Sequence, residues 1–199
     1  MPNLSLHSPQ LPGLLYTVEG LPGTMAVVHF PTKLWPDWNV LHQAGFRHIV
    51  CLASTTPEER YHPGMSGMGW LAKCDLCTPA KIQQALRTRQ LDEPELTTEE
   101  AADYSQMTAQ FREYVRLACK VLSALWAGEG VVVHCDTGVE RTGLLVGMVL
   151  VLAGVPAAEA LSKVGFILAQ DGSLTKELGE ALQSLLFKLE LGNLSRILA

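Results

Sequence analysis

The stretch Leu144 to Val155 (LLVGMVLVLAGV) carries no charged or polar side chain on any face. As a helix it would measure about 18 Å, short of the roughly 20 apolar residues that cross a bilayer. A helix apolar all round and too short to span a membrane must be buried inside a folded domain. Three consecutive valines, Val131 to Val133, come shortly before it. Such a run suits a strand covered on both faces, because a strand with one wet face alternates polar and apolar residues. A buried strand feeding a buried helix is the repeating step of an α/β fold built on a parallel sheet.

The remaining pattern extends that step. LLYTV and MAVVHF read as short strands in a Pro- and Gly-rich beginning, and Trp35 to Ala44 as a short helix stopped by Gly45. HIVCLA, from His48 to Ala53, suits a buried strand. Residues 54–69 form a loop, and Trp70 to Cys77 (WLAKCDLC) reads as a further strand ended by Thr78-Pro79. The charged segment that follows lacks a clean apolar period and is expected to be a solvated helical insertion around residues 80–105. Met107, Phe111, Tyr114, Val115, Ala118, Leu122 and Leu125 then recur at helical spacing, predicting a helix over 106–126 that Gly128 and Gly130 break. Further helices are expected over 142–153, from Pro156 towards Val164, and on the face made by Leu178, Leu182, Leu185, Leu186 and Leu189. The expected architecture is α/β, a central, mainly parallel sheet flanked by helices, in a single domain over residues 1–199.

Bulk properties narrow the function. The 199 residues, 48% hydrophobic and 18% charged, describe an ordinary globular chain. A net charge of −5 argues against a nucleic-acid binder. No apolar run reaches membrane-spanning length, so no membrane insertion is expected, and the N-terminal sequence does not read as a secretory signal. Five cysteines, an odd number without export features, suit reduced thiols in a cytoplasm.

The chemistry concentrates in VVVHCDTGVERTG, Val131 to Gly143. A tight loop between a buried strand and a buried helix directs backbone N–H groups inward, above the positive end of the helix dipole. Gly138 gives such a turn its backbone freedom. Cys135 stands at the entrance and Arg141 at the exit. If the loop curls, the guanidinium grips an anion with two bonds while sulfur lies below it. The same positive surroundings favour a thiolate, a competent nucleophile at neutral pH. Thr142 can donate its hydroxyl to that sulfur, and His134 can bond the backbone and tune the thiolate or serve only the fold.

HCDTGVERTG resembles the phosphate-binding loop of the protein tyrosine phosphatase superfamily, His-Cys-five residues-Arg-Ser/Thr, and the short chain is similar to the dual-specificity and bacterial tyrosine phosphatases. The resemblance implies a phospho-cysteine intermediate hydrolysed by water, with no metal and no cofactor. Cys135 is then the nucleophile. The backbone amides of Asp136, Thr137, Gly138, Val139, Glu140 and Arg141, with the Arg141 side chain, hold the phosphate. Upstream, the order of helix, strand, acidic loop (Glu58, Glu59), strand, then Asp and Pro is also similar. Asp136 and Glu140 are departures that put two carboxylates in the loop.

The family's chemistry also requires a general acid on a separate segment. Asp75 ends a predicted strand with Pro79 following, like the acid loop of these enzymes, but stands about twice as far before Cys135 as is usual for them. Asp103 lies at about the usual distance, in a run (TTEEAADYS) that reads more simply as a helix start. An insertion around 80–105 reconciles Asp75 with the family, and Asp75 is the favoured acid. Elsewhere, Cys74 and Cys77 have the spacing of a redox or zinc half-site but no second pair, and in a strand they would face opposite ways; with Cys51 and Cys119 they read as structural thiols. Arg87 and Arg89 can recognise substrate, although exposed basic residues on an insertion usually form a solvated surface.

The expected function is hydrolysis of phosphomonoesters on a phosphorylated protein, of the phosphotyrosine or dual-specificity type. A loop without lysine and with two acids places inositol phosphates and lipids lower. The two acids also motivate a catalytically weak phosphate-binding regulator, and a rhodanese-type sulfur transferase is a third class.

Overall fold

A computed structural model describes residues 14–17, 21–27, 38–52, 67–88, 98–135, 140–170 and 175–191. In chain order the elements are β1 (Leu14–Thr17), β2 (Thr24–Val27), α1 (Trp38–Gln43), β3 (Phe46–Cys51), β4 (Gly69–Lys73), α2 (Pro79–Thr88), α3 (Thr98–Trp126), β5 (Gly130–His134), α4 (Glu140–Leu152), α5 (Ala157–Gln170) and α6 (Lys176–Leu191). They fall into two compact units. One takes residues 1–75 and 119–142, the other residues 76–118 and 143–199.

The first unit holds a five-stranded sheet of order β1-β2-β5-β3-β4. The β1–β2 pair is antiparallel and the β2–β5, β5–β3 and β3–β4 pairs are parallel, which is the mainly parallel α/β sheet expected from the sequence. The valine run forms the central strand. Val132 is paired with Ala26 on one side and Ile49 on the other. All five residues of β5 are buried, the reason its sequence shows no alternation. Ala26, Leu41, Phe46, Ile49, Met68 and Val132 pack into one apolar cluster.

Two glycines set the entry to this sheet. Gly45 ends α1 in the left-handed region (φ 97°), as a helix stop should. Its carbonyl accepts a hydrogen bond from the Gly130 N–H at 3.1 Å. A Cβ on Gly130 would lie 2.8 Å from the Phe46 Cα, so β5 can begin here only without a side chain.

Helices make up the second unit. Leu144, Leu145, Val146, Met148, Val149 and Leu150 of α4 are all buried, as a helix apolar on every side demands. The α6 face reads out as expected, with Leu178, Leu182, Leu185, Leu186 and Leu189 buried together with Ala181. Thr175 caps this helix by accepting the Leu178 N–H at 3.1 Å, and Glu190 near its end accepts the Ala157 N–H that opens α5.

Three elements differ from the sequence reading. Helix α3 starts at Thr98, eight residues earlier than its apolar period. Alanine and glutamate are good helix formers, so the run from Thr98 can be helical without an apolar period. Strand β4 stops at Lys73 rather than Cys77. Beyond it the Cys77 N–H donates to Gln110 Oε1 at 3.0 Å, and the Cys77 carbonyl accepts from Tyr114 Oη at 2.9 Å, so α3 side chains satisfy backbone that a strand partner would otherwise take. Helix α2, expected to be solvated, buries Ile82, Gln83 and Leu86 along one face that packs on α6.

Candidate active site

The three parallel strands β3, β5 and β4 each hand the chain to a candidate residue at their carboxyl ends, within the first unit. In open parallel sheets this edge is where ligands bind. Leu52 follows β3, Cys135 follows β5, and Asp75 stands two residues beyond β4.

Leu52 ties the arrangement together. Its N–H donates to the His134 carbonyl at 2.8 Å, fixing the end of β5. Its carbonyl accepts from Arg141 Nη1 at 2.6 Å, fixing the guanidinium in the first turn of α4. One residue thus holds both flanks of the segment between Cys135 and Glu140. A charge-assisted bond of this kind is among the stronger ones a backbone carbonyl makes. Sequence reading placed Leu52 in an apolar strand, where nothing distinguishes a bridging carbonyl from any other.

Around Arg141 the polarity is graded. Its side chain is 17% exposed, and Asp75 Oδ1 lies 3.7 Å from the same Nη1 with the Asp75 side chain 67% exposed. That distance is an ion pair, too long for a hydrogen bond, and such a half-exposed contact holds weakly. Cys135 is buried at 2% exposure and His134 at 1%. Thr142 is equally buried, and among the described residues its Oγ1 is the buried side-chain oxygen without a hydrogen-bond partner. An orphaned buried hydroxyl costs stability, so its retention next to Arg141 points to a use outside the fold.

Of the other sequence candidates, Asp136, Thr137, Gly138 and Val139 lie outside the described residues, as do Glu58, Glu59 and Arg89. Glu140 opens α4, where a carboxylate complements the helix dipole. Asp103 is the sixth residue of α3, its side chain outside the described set. Cys74 and Cys77 both lie beyond β4, so they are not opposed across a strand. The Cys74 N–H bonds the Cys51 carbonyl at 3.0 Å, and all five cysteines are free thiols. Burial pushes the Cys119 thiol above its ordinary value. Among the described residues no group of three or more His, Cys, Asp or Glu is arranged to hold a metal ion, and no helix is long and apolar enough to cross a membrane.

A cysteine at the end of a central parallel strand, an arginine in the first turn of the next helix and a carboxylate beside that arginine stand together at one edge of an α/β sheet. The sequence model of the tyrosine phosphatase family matches residues 32–163, well over half of the chain and including Asp75, Cys135, Arg141 and Thr142. The chain belongs to the tyrosine phosphatase family. No curated protein matches it.

Proposed function

We propose that this chain hydrolyses phosphomonoesters on phosphorylated protein side chains, phosphotyrosine or dual-specificity in type, through a phospho-cysteine intermediate. The observation that carries the reading is the Leu52–Arg141–Asp75 cluster at the carboxyl edge of the strands that also deliver Cys135. Nη1 is anchored on Leu52, and the guanidinium is the group that would grip the phosphate with paired N–H donors.

In the first step the Cys135 thiolate attacks phosphorus. The S–P bond forms as the ester P–O bond breaks, and Asp75 gives its proton to the departing oxygen. Arg141 and the loop amides from residue 136 onward meet the charge that builds on the equatorial oxygens. In the second step Asp75 takes a proton from water, whose oxygen attacks phosphorus as the S–P bond breaks. Thr142 donates its hydroxyl to the sulfur as negative charge returns there. That role supports a buried hydroxyl with no partner in the fold. The loose contact between Asp75 and Arg141 supports it too, since the acid must leave the guanidinium to reach the ester oxygen.

The absence of lysine from the loop and the presence of Asp136 and Glu140 favour phosphoprotein over polyanionic inositol phosphates. Five free thiols favour a reducing, cytoplasmic setting. Purified protein is expected to turn over p-nitrophenyl phosphate and a phosphotyrosyl peptide without added metal, and vanadate should inhibit both reactions. Vanadate binding without any turnover would assign the loop instead to a phosphate-binding regulator.

A further inference from the structure

The last turns of α2 and α6 line a groove of about 560 Å³ within the helical unit. Leu86, Phe187 and Leu191 supply its apolar lining, and Leu191 is left 85% exposed. Arg87 and Lys188 stand among them, and no carboxylate belongs to the lining among the described residues. None of the ion pairs among the described residues involves either cation. The chain as a whole has 20 acidic against 15 basic residues, so this groove reverses the prevailing sign. Gln83, also in the lining, ties the two helices together by donating to the Glu180 carbonyl at 3.1 Å.

A plainer explanation exists for each cation alone. Arg87 and Lys188 both sit in the last turn of their helices, where positive charge complements the dipole. That explanation does not extend to a leucine held in water between them, since apolar area is normally withdrawn from solvent.

We infer that the groove docks an acidic, amphipathic peptide segment of a partner protein. Leucine or phenylalanine side chains of that segment rest on Leu86, Phe187 and Leu191, and its carboxylates face Arg87 and Lys188. Helix α6 lies beyond the stretch that matches the family, so half of this surface is contributed by the chain's own extension. The site is independent of the chemistry at Cys135 and holds whether or not the protein turns over phosphate.

The test is fluorescence anisotropy with two labelled synthetic peptides, one alternating Glu and Asp with Leu and Phe, the other with Lys at every acidic position. The acidic peptide should bind, and the lysine peptide should not. Arg87→Glu combined with Lys188→Glu should weaken binding about tenfold or more, as loss of central charged and apolar anchors does. Raising salt should weaken the wild type as well. Leu191→Ser, at an exposed position that the fold does not depend on, should also weaken binding several-fold, and it keeps the test decisive if the charge variant fails to fold by thermal melt. Equal binding of the two peptides would overturn the proposal, as would wild-type affinity in a folded variant. So would stronger binding to vesicles of anionic lipid than to the acidic peptide, or a concentration-dependent dimer abolished by Leu191→Ser.

Discussion

Cys135 and Asp75 both follow parallel strands of one sheet, yet their surroundings are opposite. Cys135 leaves the central strand β5, every residue of which is buried, and is itself 2% exposed. Asp75 leaves the edge strand β4, none of whose residues is buried, and its side chain is 67% exposed. Leu52 fixes the first region through its N–H to His134 and its carbonyl to Arg141, whereas among the described residues the Asp75 side chain makes one long ion pair. The contrast matches what the proposed reaction asks of each group. A nucleophile and an anion clamp act best when preorganised, while an acid that must become a base within one cycle needs room to exchange protons with water.

The largest effect should come from the rigid region. Cys135→Ser should reduce turnover by on the order of 10⁴-fold or more, because a serine oxygen is a far poorer nucleophile than a cysteine sulfur. The melting temperature should stay near wild type. Arg141→Lys should cost on the order of 10²- to 10³-fold, since a point charge cannot reproduce two parallel bonds. Steady-state kinetics on p-nitrophenyl phosphate reads both. A mild loss in either would mean that the buried region does not carry the chemistry.

The exposed region should show a smaller, substrate-dependent effect. Asp75→Ala should lower kcat about 10²-fold on a phosphotyrosyl peptide, whose leaving group needs a proton, and much less on p-nitrophenyl phosphate. A full-rate Asp75→Ala protein beside a crippled Asp103→Ala protein would move the acid to α3 and dissolve the comparison.

Thr142 sharpens the account from the buried side. Thr142→Val should slow the second step about tenfold, seen as a larger burst of released nitrophenol before the steady state. It should leave the melting temperature equal or higher, because an unpaired buried hydroxyl is removed. A large drop in stability with unchanged kinetics would make Thr142 a structural residue.

The legible parts of this molecule are those in which burial writes itself into composition. The Val131–Val133 strand, the apolar α4 and the leucine face of α6 could be read because a side chain's type reports the water around it. Cys135 and Arg141 stood out for the related reason that loop chemistry needs particular groups at a particular spacing. What stayed hidden depends on backbone and on distant partners. Nothing in HIVCLA marks Leu52 as the residue that bridges β5 and Arg141. The end of β4 is decided by Gln110 and Tyr114, more than 30 positions away in the chain, which take up both backbone groups of Cys77. The extra turns of α3 were invisible to a search for apolar period because their sequence carries none.

The smallest expected effect lies away from the site. Burial raises the Cys119 thiol above its ordinary value of 9.0. Below that pH the thiol is protonated in both folded and unfolded chains and contributes no pH dependence. Above it the unfolded chain gives up the proton while the folded chain keeps it, so stability falls as pH rises. Melts of the wild type between roughly neutral and strongly alkaline pH should therefore decline slightly more steeply than those of Cys119→Ala. Parallel curves would show that this thiol is as well solvated as in the unfolded chain.

Acid-quenched mass spectrometry of the protein caught during turnover looks directly for a covalent phosphoryl group on one buried sulfur. Asp75→Ala enzyme mixed with excess p-nitrophenyl phosphate should load readily, because that leaving group needs little help, and discharge slowly, because the water lacks its base. One phosphoryl group is expected on the peptide containing Cys135, absent when Cys135→Ser protein is treated in the same way. Steady turnover with no phosphoryl group on any cysteine, or a label that persists in Cys135→Ser, would contradict it.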